Sequence, residues 1–241
     1  TEEELLFRSR REVKKAIFEY GLIVDGDRIL IGLSGGKRFV GVGGLARTPF
    51  QDIPASVRGD RDAYRDVKYP YRSDIDYLKS RADEHGLSFF VHETSFDAST
   101  DTRKSPCFLC SWNRRKALFT VARSRDAKIA LGHHMDDILE TLLMNITYQE
   151  LQLYASSPGM KKFDMTIIRP MCLVHEAIDG VGASEGGIEA GEECPYESQS
   201  SRSAMKGILK QLEEMNPEAR YSLWGSMTNV QEELLPAIIN H

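Results

Sequence analysis

Short apolar runs alternate along this chain with segments of helical period, and that alternation limits the fold more than any other feature. Arg28-Ile29-Leu30-Ile31-Gly32-Leu33 is the kind of run that becomes a buried parallel strand, and it stops at Ser34-Gly35-Gly36-Lys37. Residues 87–91, 128–131 and 165–169 read as further strands, the last stopped by Pro170. Helices fill the intervals. Over residues 3–20, Leu6, Val13, Ile17 and Tyr20 fall near one face, while Arg8, Arg10, Arg11, Lys14 and Lys15 lie mostly elsewhere, and Gly21 ends the segment. Residues 73–86 carry Ser73 as an N-cap, Asp76 three residues on and Gly86 at the close. Residues 111–123 are helical, and over 136–147 Ile138, Leu139, Leu142, Leu143 and Ile146 recur at helical spacing. This pattern predicts an α/β fold: a Rossmann-like, doubly wound, mostly parallel sheet with helices on both faces.

At 241 residues the chain can bury a sizeable core without staples. Its organisation reads as an N-terminal helix (1–20), an α/β domain (21–175) and a C-terminal part (176–241) holding a Gly-rich loop, Cys194 and helices. Residues 40–70, 149–163 and 177–193 lack either period and read as mobile loops. No apolar run approaches the length of a membrane span, and the Glu-rich start is unlike a secretory signal. Four cysteines in a chain of this length do not make a disulfide scaffold, so the expected compartment is a reducing cytoplasm. A net charge of −5 excludes a protein coated in nucleic-acid-binding surface and leaves room only for a local basic patch.

Three motifs carry chemistry. Ser34, Gly35, Gly36 and Lys37 directly follow a strand, where glycines admit an anion to the backbone amides and a hydroxyl and an ammonium assist. It is neither a Walker loop nor a dinucleotide fingerprint, and a plain Gly-rich turn is the competing reading. Cys107-Phe108-Leu109-Cys110 spaces two thiolates to hold one metal or cluster, with Pro106 before them and a helix start expected at Ser111; a redox dithiol or two buried cysteines are the competing readings. Cys194, followed by Pro195, is a candidate third ligand, whereas Cys172 reads as a core residue. Gly132-His133-His134-Met135-Asp136-Asp137 leaves a strand and opens a helix, where two carboxylates can hold Mg²⁺ on a nucleotide phosphate. Asp137 with Glu140 would alternatively form a capping box. Arg103, Lys104, Arg114, Arg115 and Lys116 form a basic cluster around the cysteines, either a solvated helix face or a grip on RNA phosphates.

In this order, Ser34-Gly35-Gly36-Lys37, Pro106-Cys107-x-x-Cys110-Ser111, Gly132-His133-His134-Met135-Asp136-Asp137-Ile138-Leu139-x-Thr141, Ile168-Arg169-Pro170 and Cys194-Pro195 resemble the tRNA 2-thiocytidine biosynthesis enzymes of the PP-loop ATP pyrophosphatase group. The resemblance implies ATP-dependent adenylation of a cytidine C2 oxygen in the tRNA anticodon loop, followed by sulfur transfer. It implies ATP, Mg²⁺ and a 4Fe-4S cluster held by Cys107, Cys110 and Cys194. Ser34, Gly35, Gly36, Lys37, Gly132 and His133 would bind the nucleotide, and Asp136, Asp137 and Arg114 would take part in catalysis. Its partners would be tRNA and a sulfur donor such as a cysteine desulfurase, with a homodimer an open option. The loop here reads Ser-Gly-Gly-Lys-Arg38-Phe39 where the family has Asp-Ser after the lysine. Two other readings stand beside it: a non-catalytic relative that binds RNA or metal, and a zinc-stabilised α/β protein using the three cysteines with a fourth ligand such as His175.

Overall fold

The computed structural model describes residues 2–33, 61–66, 75–84, 87–92, 106–148, 159–160, 165–175, 201–231 and 233. Ser34–Lys37, Arg38, Phe39, Ser73, Gly86, Arg103, Lys104, Cys194 and the segment 177–193 lie outside them. The elements, in chain order, are α1 (Glu2–Glu19), β1 (Ile29–Leu33), β2 (Arg61–Asp66), α2 (Ile75–Glu84), β3 (Ser88–His92), α3 (Pro106–Ser124), β4 (Lys128–Leu131), α4 (Met135–Tyr148), β5 (Gly159–Met160), β6 (Met165–Ile168), α5 (Ser201–Met215) and α6 (Ala219–Ser226). They fall into two compact units, residues 1–135 with 154–199 and residues 136–153 with 200–241.

In the first unit the strands form one sheet in the order β3-β2-β1-β4-β6-β5. All neighbours are parallel except the edge pair β5–β6. From β1 the chain winds outward to β2 and β3, then returns to the other side of β1 as β4 and β6. The order therefore reverses between β1 and β4, the position where such sheets take their ligands. Right-handed crossovers put α2, between β2 and β3, and α3, between β3 and β4, on opposite faces. The core contains Leu30 and Ile129 from the two central strands, Met165 and Ile167 from β6, and Ala117, Leu118 and Ala122 from α3. Helix α1 buries Val13, Ala16 and Ile17. It ends as the glycine predicts: Gly21 takes φ +56° and the Leu22 amide donates to the Ile17 carbonyl at 3.0 Å.

Three expectations need correction. The stretch 40–70, read as a loop, contains β2, paired in parallel with both β1 and β3. Arg61-Asp62-Ala63-Tyr64-Arg65-Asp66 has no apolar run to announce it, yet sheet pairing is made by backbone groups that every residue carries. The stretch 149–163 likewise supplies the short strand β5. Finally, α3 begins at Pro106 rather than Ser111, so Cys107 and Cys110 are helical residues and not loop residues. Proline is favoured at the first helical position because its missing N–H has no partner to lose there.

Candidate functional site

Two strand ends meet at the carboxyl edge of the sheet. Gly32 of β1 lies in register with Leu131 of β4, so Leu33 and Gly132 leave the sheet side by side. Residues 34–37 continue directly from the first and His133 from the second. A Cβ on Gly32 would stand 3.1 Å from Leu131 Cδ2 and 3.2 Å from Leu118 Cδ2, so glycine is what lets α3 pack this closely over β1. Helix α3 feeds β4 through a three-residue turn at the opposite edge, so it runs antiparallel to the strands and its start points to the carboxyl edge. Position 110 is eight residues before Leu118, about 12 Å along the axis. The chain topology thus brings the ends of β1 and β4 and the cysteine-bearing end of α3 to one edge. Positions 107, 110, 114 and 118 follow the spacing of one helix face, and Leu118 on that face is buried.

His133 and the residues after β6 are joined. Arg169, nearly buried, donates from Nε to His133 Nδ1 at 3.4 Å. The following turn is closed by Cys172 and Val174 amides donating to the Arg169 and Met171 carbonyls at 3.0 and 2.9 Å. The Val174 carbonyl in turn accepts from the Met135 amide at 2.9 Å. That bond satisfies one of the free amides at the start of α4. Cys172 is fully buried, and the loss of water around it pushes its thiol pKa up to about 12. As expected, it is a core residue.

In the second unit, Asp136 and Asp137 are the second and third residues of α4 and are both 2% exposed. Neither is the N-cap, so the capping box of Asp137 with Glu140 is not formed as read from the sequence; Glu140 is itself a buried helical residue. Arg220 of α6 donates from Nε to Asp136 Oδ1 at 2.6 Å, and its NH1 group meets Glu213 of α5. Burial opposes the Arg220 charge, but the hydrogen bonds and charges of Glu213 and Asp136 outweigh it and hold its pKa above the usual arginine value. Sequence reasoning missed Arg220, which lies 84 residues from Asp136 with no motif around it. Arg169 was visible as part of Ile168-Arg169-Pro170, without a partner assigned. Arg115 and Lys116 of the basic cluster are exposed on α3, beside an exposed Trp112.

A parallel, doubly wound sheet with a strand–Ser-Gly-Gly-Lys segment at its switch point defines a nucleotide-binding α/β protein of the PP-loop kind. No protein-family model matches the chain. The tRNA-cytidine(32) 2-sulfurtransferase of Geotalea daltonii is 35% identical over 244 residues, covering 95% of this chain and 94% of the relative. That of Syntrophotalea carbinolica is 34% identical, covering 95% and 92%. Among solved structures, the U34-tRNA thiolase NcsA from Methanococcus maripaludis with its 4Fe-4S cluster aligns at a TM-score of 0.76 and 24% identity, over 96% of this chain and 81% of that one. The chain belongs to the tRNA-cytidine(32) 2-sulfurtransferase family.

Proposed function

We propose that this protein is an ATP-dependent tRNA sulfurtransferase that exchanges the C2 oxygen of a cytidine in the anticodon loop for sulfur. The observation that carries the reading is family membership across 95% of the chain. The adjoining ends of β1 and β4, with the start of α3 directed to the same sheet edge, support it.

In this reading Ser34, Gly35, Gly36 and Lys37 hold the triphosphate, with Gly132 and His133 on the adjoining strand end and Arg169 fixing the His133 ring. Asp136 and Asp137 would serve the magnesium ion and the reacting groups, with Asp136 oriented by Arg220. The cytidine C2 oxygen attacks the α-phosphorus of ATP, the bond to the β-phosphate breaks, and pyrophosphate leaves. Arg114, one turn past Cys110 on α3, would contact phosphate or the activated base. Sulfide then adds at C2, and AMP departs with the original oxygen. Three thiolates suit a 4Fe-4S cluster that keeps one iron open, and Cys107 and Cys110, three residues apart near the start of α3, have the spacing to supply two of them. Cys194 would complete the set. When bound, the cluster supplies the sulfur. A cysteine desulfurase would replenish it, and the reaction belongs in the cytoplasm, with a homodimer as the proposed assembly.

Anaerobic incubation with ATP, Mg²⁺, sulfide and tRNA, followed by nucleoside mass spectrometry, tests the reading. The expected result is a thiolated cytidine formed together with AMP and pyrophosphate. Iron-loaded protein that makes neither product would overturn it. A colourless, zinc-loaded protein would favour the structural-metal reading.

A further inference from the structure

The solvent face of α1 is not used by the chemistry above. Phe7 and Phe18 on it are 68% and 73% exposed. They are eleven residues apart, so at about 100° per residue they return to within about 20° of one direction and are separated by about 16 Å of helix axis. Arg11, Lys14 and Lys15 fall within about 80° of the same line, the buried Val13 and Ala16 lie on the other side, and the buried Ile17 flanks the stripe at about 90°. Between the two phenylalanines the helix carries Arg8, Arg10, Arg11, Lys14 and Lys15 against the single acid Glu12, in a chain whose net charge is −5.

The order of these residues narrows the partner. A helix that lies on a membrane separates its apolar face from its cations, whereas here aromatic rings and cations share one stripe. A two-fold contact with a second copy would set that cationic stripe against itself. Unpaired RNA offers both matching groups, since its bases stack on aromatic rings and its phosphates take cations. The ion pairs now made by Arg11 with Glu12 at 3.1 Å and by Lys15 with Glu19 at 3.9 Å are solvent-exposed and weak, so phosphate can replace them.

We propose that the α1 face from Phe7 to Phe18 is an RNA-docking surface, where unpaired bases stack on the two phenylalanines and Arg8, Arg11, Lys14 and Lys15 meet phosphates. The proposal rests on the tRNA reading above and adds a binding surface outside the reacting centre.

Fluorescence anisotropy of labelled tRNA with the full chain, repeated over a salt series, tests it. The double variant Phe7→Ala/Phe18→Ala should bind about tenfold more weakly, as expected when stacked bases lose their platform. Phe7→Leu/Phe18→Leu should lose as much, because leucine stays apolar but has no π face. Arg11→Glu/Lys15→Glu should reduce the magnitude of the salt slope by about 0.7–0.9 for each phosphate that is no longer neutralised. If the unaltered chain binds no tRNA, the tRNA reading fails and takes this proposal with it. If that chain binds and the variants match it in affinity and slope, this proposal alone fails. Leucine variants that keep full RNA affinity, or alanine variants that change only sedimentation or adsorption to anionic vesicles, would assign the face to a second copy or to lipid and overturn it.

Discussion

A carboxylate at 2% exposure needs a counter-charge, and Asp136 finds it in Arg220, 2.6 Å away. Removing the guanidinium takes that counter-charge away from a buried carboxylate. Arg220→Met should therefore destabilise the protein by about 3 kcal/mol in urea unfolding, with Arg220→Lys recovering part of the loss. Glu213, 41% exposed at its side chain, contributes far less, and Glu213→Gln should change stability by under about 1 kcal/mol. Cys172 gives a pH signature. Its thiol pKa stands at about 12 in the folded chain against 9.0 as the reference, so the folded state holds the proton more tightly. The contribution is fully present below pH 9 and is lost as pH rises toward about 12, at up to about 1.4 kcal/mol per unit. Subtracting the stability curve of Cys172→Ala from that of the natural chain should show this slope between those limits. Parallel curves would mean that the thiol opens to solvent.

At the scale of elements, α3 links the core to the cysteine pair. Its middle is anchored by Leu118, which is 7% exposed and packs where Gly32 leaves room on β1. Leu118→Ala should cost about 3 kcal/mol of unfolding free energy through the cavity it creates. A smaller effect, near the transfer of the removed methyl groups alone, would show that the helix settles onto the strand. The first turns of the same helix carry Cys107 and Cys110. In protein prepared without oxygen, Cys107→Ser and Cys110→Ser should each lower iron and sulfide content sharply while leaving the helical circular dichroism unchanged. Iron retained in both variants would remove the pair from the ligand set.

For the molecule as a whole, a net charge of −5 means that affinity for a polyanion comes from local patches. Arg115 and Lys116 are exposed on α3, only a few positions past Cys110. Reversing both to glutamate should weaken tRNA binding and reduce the magnitude of the salt slope by about 0.7–0.9 per phosphate released, with the iron content unaltered. An unchanged slope would reduce them to a solvated helix face. No described helix is long and apolar enough to cross a membrane.

The residues alone determined the α/β class, because short apolar runs and a period of 3.6 follow from which side chains each element buries. They placed β1, β4 and β6 to within a residue and showed Cys172 to be core. Local chemistry also marked the Gly21 helix end, since a left-handed turn is a property of one residue. It was less informative where burial is not periodic: β2 has four charged residues out of six and is held by backbone pairing on both sides. Ile146 fits the apolar period of α4 and is nevertheless 55% exposed, for periodicity defines a face without saying how far along the helix it is covered. Only the tertiary structure decided that Arg169 reaches His133 and that Arg220 reaches Asp136. Those hydrogen bonds join residues 36 and 84 positions apart, and such distances are closed by the packing of elements rather than by any local preference of the chain.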